Sequence, residues 1–149
     1  MLIQYNISHA FYPGSDKTLN ARTLRVLMRN LIELNLIYLE EAPRLGYAVP
    51  LLYASGVVYD RTVWWEAIDA LYKRRFGDCK SLTGAWIAEQ LLRGVRCQPV
   101  FRWVENEDGT IEYHILAHCG GGVFEDPSKR LGMGEVEVAK FFGPKSWAA

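Results

Sequence analysis

Phe76-Gly77-Asp78-Cys79-Lys80-Ser81-Leu82 is the stretch on which the fold turns. A glycine turn and an acidic N-cap candidate deliver a cysteine to the first turn of a helix. Leu82, Ala85, Ala88, Leu91 and Leu92 then recur at helical spacing, and Gly94 supplies the stop. The spacing predicts a helix from Cys79 to Arg93. Free N–H groups and the positive end of the helix dipole favour an anion at its mouth, so Cys79 is a candidate nucleophile. The competing reading is a buried structural cysteine, which behaves as a small hydrophobe.

Upstream, Leu24, Leu27, Leu31, Leu34 and Tyr38 recur at steps of three and four. Pro43 follows, so residues 18 to 41 are expected to form one long helix with a core-facing stripe. The first 17 residues suggest a short extended segment ending in Tyr12-Pro13-Gly14-Ser15-Asp16. Residues 44 to 62, with Gly46, Pro50 and Gly56, suggest irregular chain or short strands, and a second helix is expected from Val63 to about Arg75.

Downstream the period changes to two. Phe101 and Trp103 share one face and Arg102 the other, Asn106-Glu107-Asp108-Gly109 makes a turn, and Thr110 to His118 returns as a strand. Gly120-Gly121-Gly122 makes a second reversal into Val123-Phe124-Glu125-Asp126, which Pro127 ends. Helices followed by an antiparallel sheet predict a single α+β domain over residues 1–149.

Composition narrows the function classes. The chain has 149 residues, 50% hydrophobic and 23% charged, enough for one globular core. Its 17 Lys plus Arg balance 17 Asp plus Glu. That neutrality argues against a nucleic-acid partner, since Lys73, Arg74 and Arg75 form the only dense basic cluster and suit the last turn of a helix. No stretch runs 18 apolar residues without charge and the N-terminus lacks a signal-peptide pattern, so no membrane association is expected. Cys79, Cys97 and Cys119 are too few for a disulfide scaffold, which predicts a reducing compartment and a cytoplasmic protein.

A thiolate nucleophile needs a base and a group to orient it. Strand alternation puts His114, Leu116 and His118 on one face. If Gly120 to Gly122 form a three-residue turn, Asp126 falls opposite Leu116, diagonal to both histidines and within reach of either ring. The pattern permits a Cys, His, Asp triad and leaves the histidine open. Zinc ligation by His114, His118 and cysteines is disfavoured because adjacent His118 and Cys119 point to opposite faces, and no metal is expected.

Gly77-Asp78-Cys79-Lys80-Ser81-Leu82 opening a helix that ends in Leu91-Leu92-Arg93-Gly94-Val95, then His114 in a strand, then Asp126-Pro127-Ser128, resembles the transglutaminase-like cysteine peptidase superfamily. The similarity spans roughly residues 64 to 133, and the short chain is most similar to small stand-alone members from bacteriophages and prophages. The resemblance implies a papain-like core, Cys79 as nucleophile, His114 as general base and Asp126 as orienter. It also implies a protein or peptide amide substrate and no cofactor. No calcium is expected, because the chain lacks the length for flanking β-domains and has no EF-hand-type acidic loop. The oxyanion is expected on the Cys79 backbone N–H plus an upstream donor, with Trp64, Trp65 and Gln4 as candidates. The alternative is a catalytically silent member of the fold serving as a binding or assembly module, phage-related in origin.

Overall fold

The structure is a computed structural model and describes residues 17–149. The extended segment expected over the first 17 residues, and Gln4 with it, lies outside the described residues apart from Lys17, which opens the first helix.

Helix α1 (Lys17–Glu41) runs 25 residues without Gly or Pro. Its buried stripe is Ala21, Leu24, Met28, Leu31, Ile32, Asn35 and Leu39, while Leu34 is exposed. The expected stripe is therefore rotated toward Asn35. The reason is a cap: Asn35 Oδ1 accepts the Ile68 N–H at 2.8 Å, an otherwise orphan donor at the start of α2 (Ile68–Arg74). Losing the acceptor strands a buried N–H, so Asn35→Ala should cost about 1–3 kcal/mol in urea denaturation. Helix α2 starts later than its apolar pattern suggested. The Ser81 hydroxyl accepts the Glu66 N–H at 3.0 Å and so keeps the preceding segment extended.

Between these helices, β1 (Val58–Tyr59) pairs in parallel with β2 (Phe76–Gly77), setting Tyr59 opposite Gly77. A Cβ at Gly77 would lie 2.5 Å from Cδ1 of the buried Leu71, so a larger residue there would force Leu71 to shift. Helix α3 (Cys79–Leu92) follows with Asp78 as its N-cap. It meets α1 closely at Gly84, where a Cβ would stand 3.0 Å from Leu31 Cδ2.

The second half is a sheet of order β5-β4-β3-β6, antiparallel throughout, built from β3 (Cys97–Glu105), β4 (Ile111–Cys119), β5 (Val123–Glu125) and β6 (Ser146–Ala148). Phe101, Trp103, Ile115 and Ala117 face α3 and α1 and form the main core with Leu24, Met28, Leu82 and Ile87. Thr83 Oγ1 donates to the Ile115 carbonyl at 2.9 Å and fixes α3 on β4. The opposite face carries Val104 and is covered by Met133, Val138 and Phe141 from the C-terminal segment. That segment contains α4 (Pro127–Arg130) and α5 (Glu135–Ala139). The α+β class expected from element order is observed.

One expectation is corrected. Cys97 and Cys119 form a disulfide, although a count of three argued against such pairing. The register sets them directly opposite one another at the end of the β3–β4 ladder. The Gly120 N–H to Arg96 carbonyl bond makes theirs a non-hydrogen-bonded pair, the type in which facing residues come closest, here with Cα atoms 4.1 Å apart. Cys79 is the one free cysteine. No helix among the described residues is long and apolar enough to cross a membrane.

Candidate functional site

Asp78 fixes the mouth of α3. One of its oxygens accepts the Lys80 N–H at 3.3 Å, while the other pairs with the Lys80 ammonium. The buried Lys80 ammonium also donates to the Thr62 carbonyl at 2.6 Å, which ties the loop after β1 to the helix start. Burial pushes the Asp78 carboxyl above its ordinary range, against the pull of the Lys80 charge. Asp78 is thus occupied with the backbone and with Lys80, and Cys79 heads the helix beside this pair.

The turn geometry expected for Gly120–Gly122 is observed. Ala117 faces Glu125 and His118 faces Phe124, a register that carries Asp126 to the level of Leu116. The two histidines then separate. His118 stacks on its cross-strand partner Phe124, with centroids 4.5 Å apart. His114 Nε2 bonds Asp126 Oδ2 at 2.8 Å. Asp126 Oδ1 accepts the Lys129 N–H at 3.2 Å as the N-cap of α4, so the two carboxylate oxygens have separate tasks. Pro127 ends β5 by starting that helix.

His114 is 1% exposed and packs on Phe141, with ring centroids 5.2 Å apart. Strand β5 pairs with β4 only from residue 117 onward, so the edge of β4 at His114 is left open for the mouth of α3. There His114 and Cys79 line the same cleft, and the nearby sulfur helps raise the His114 pKa. Because Nε2 is committed to Asp126, the nitrogen left for the sulfur is Nδ1. Burial alone would lower the His114 pKa. The hydrogen bonds to Asp126 and Cys79, together with their negative charge, outweigh it and hold the ring up at about 9.

The sign gives a pH expectation. His114 is imidazolium below about pH 9 and loses its proton as pH rises through that value. A reaction that needs it as a proton donor should fade above about pH 9, whereas simple alkylation of the sulfur, which needs no donor, should not. Parallel pH profiles of peptide hydrolysis and iodoacetamide labelling check this.

Cys79 and His114 line a cleft of about 260 Å³. Its walls include Tyr59, Tyr113, Met133 and Phe141, and its rim carries Arg61, Glu112 and Glu137. Arg61 binds Glu137 at 2.7 Å and approaches Glu112 at 3.7 Å, Lys140 pairs with Glu112, and the Tyr59 hydroxyl donates to Glu137 at 3.0 Å. A larger depression of about 470 Å³, lined by Glu105, Asn106 and residues 144–147, contains neither cysteine nor histidine. Among the described residues no group of three or more His, Cys, Asp or Glu side chains is arranged to hold a metal ion.

Cys79, His114 and Asp126 are thus brought together. Trp64 and Trp65 are not part of the cleft lining. The half-exposed Trp64 ring lies 5.9 Å from the Arg74 guanidinium, and Trp65 packs on the core. The pattern missed Tyr59, Arg61 and Glu137. The first two follow an irregular stretch, and Glu135-Val136-Glu137-Val138 alternates like a strand but forms α5. Comparison of the chain with protein-family models, with curated proteins and with solved structures finds no match.

Proposed function

We propose that this protein is a cysteine-nucleophile amide hydrolase or acyltransferase acting on protein or peptide amides through a thioester. One observation carries the reading: a buried imidazole bonded to a carboxylate lines one cleft with a sulfur at a helix mouth. Separately, the motif order resembles the transglutaminase-like cysteine peptidases, whose papain-like core likewise sets a cysteine-headed helix against an antiparallel sheet bearing His and Asp.

In this reading His114 Nδ1 already holds the proton given up by Cys79, and the sulfur attacks the substrate carbonyl to give a tetrahedral oxyanion. The imidazolium then hands its proton to the departing amine as the C–N bond breaks, leaving the acyl group on sulfur. Asp126 holds Nε2–H, which assigns Nδ1 to the proton exchanged with Cys79 and stabilises the charged ring. Water resolves the thioester to an acid and a primary amine resolves it to a new amide, so both outcomes share one intermediate.

The test uses p-nitrophenyl acetate. The sulfur forms a bond to the acetyl carbon, the ester C–O bond breaks, and p-nitrophenolate leaves. About one equivalent should appear in a burst, with the acetyl group mapping to the Cys79 peptide by mass spectrometry. Added glycinamide should divert the acetyl group from water. A chain that gives no burst and no acetyl-Cys79 is not an enzyme of this kind, and the binding-module alternative would take its place.

A further inference from the structure

A tetrahedral intermediate on Cys79 needs two donors for its oxygen, and only one is supplied by the helix. That one is the N–H of Cys79, the first residue of α3, which has no intrahelical acceptor. Among the described residues, a side chain that supplies the second must line the same cleft, carry a proton at working pH and be redirected at small cost. Thr62 accepts the Trp64 N–H at 3.1 Å with its hydroxyl and Lys80 with its carbonyl, so redirecting its side chain would break the turn before Trp64. Arg61 is 62% exposed and bound to Glu137. Tyr113 also lines the cleft, but its ring is packed edge-on to Trp103 at 5.7 Å and held by the main core.

Tyr59 meets all three conditions. The parallel β1–β2 pairing sets it opposite Gly77, two residues before Cys79, and its ring lines the cleft. Burial first, then the hydrogen bond to Glu137, holds the phenol well above its ordinary range, so it stays a neutral donor. Its current acceptor, Glu137 Oε1, is also bound by Arg61 Nε at 2.8 Å. When the hydroxyl turns away, Arg61 still neutralises that carboxylate, and no charge is left unpaired.

We propose that the Tyr59 hydroxyl is the second oxyanion donor, turning from Glu137 toward the tetrahedral intermediate formed on Cys79. The proposal rests on Cys79 being the nucleophile.

Two probes separate the roles. Iodoacetamide alkylation displaces iodide at a saturated carbon and forms no oxyanion, whereas acetylation by p-nitrophenyl acetate passes through one. Tyr59→Phe should slow acetylation of Cys79 by roughly 100-fold, the lower end of the loss typical for removing one oxyanion donor, with alkylation kept within about twofold. Tyr47→Phe, at an exposed tyrosine outside the cleft lining, should retain wild-type acetylation. Equal acetylation by wild type and Tyr59→Phe would overturn the proposal, as would a parallel fall in both probes, which marks Tyr59 as structural. A loss seen with Tyr113→Phe but not Tyr59→Phe would overturn it by naming the other tyrosine. If wild type itself is neither acetylated nor alkylated at Cys79, the nucleophile reading fails first and takes this one with it.

Discussion

His114→Ala is expected to slow acetylation of Cys79 by about 10²- to 10⁴-fold, the range associated with losing a positioned general base. His118→Ala should change it less than about twofold. The two residues lie four apart on one face of one strand, but His114 is 1% exposed and His118 half-buried, and their partners differ. His114 joins Asp126 to Cys79, and His118 is stacked against Phe124. His114→Ala also deprives Asp126 Oδ2 of its partner, so a stability loss of roughly 1–3 kcal/mol should accompany it. Stopped-flow acetylation read beside urea denaturation separates the two effects. The reverse ranking would move the base to His118 and break the link between geometry and chemistry.

Asp126→Asn should be almost as damaging to the reaction and far gentler to the fold. Asparagine is as good an N-cap as aspartate, so its oxygen can keep the Lys129 N–H and α4 should lose less than about 1 kcal/mol. With that oxygen committed, the amide NH2 is turned on His114 Nε2. The ring must then accept at Nε2 and carry its proton on Nδ1, the nitrogen facing the sulfur, where it can no longer act as base. A loss of up to about 10⁴-fold is the scale for a triad held in the wrong tautomer. Asp126→Ala, which surrenders the cap as well, should add a stability loss of about 1 kcal/mol. Comparing the three chains by acetylation rate and urea midpoint tests whether the two oxygens of Asp126 do separate work.

The parts of the molecule visible in the sequence are those fixed by local rules. Gly77-Asp78-Cys79 before an apolar helix, the two-residue period from Phe101 onward and the glycine-rich reversal are each set by neighbours along the chain. Those rules were enough to bring Asp126 level with Leu116. They did not choose between His114 and His118, because the choice depends on contacts distant in sequence, such as Phe141 packing on His114 beside the Cys79 cleft. The Cys97–Cys119 bond was hidden for a related reason. The count of cysteines is a property of composition, whereas their pairing is a property of register, and residues 97 and 119 meet only once the β3–β4 ladder has formed.

Long-range partners account for the remainder. Tyr59 and Glu137 are 78 residues apart and meet where β1 and α5 close on the same cleft, with nothing in either local stretch to announce it. Asn35 lies outside the stripe that the spacing predicts and is the acceptor that starts α2. Strand β6 is three residues long and is stabilised by its place on the edge of β3 rather than by its own pattern.

With Cys97 and Cys119 paired, Cys79 offers the only thiol, so its reactivity can be followed without mutation. The most direct measurement is the rate of iodoacetamide labelling at pH 6.5 in the native chain and in the same chain unfolded in urea with the disulfide intact. Cys79 is 8% exposed, and burial by itself protects a sulfur from a reagent in solution. A thiol activated by His114 at a helix mouth should nevertheless react about tenfold or more faster folded than unfolded. Slower labelling in the native state would contradict the triad and leave Cys79 as a packed core residue.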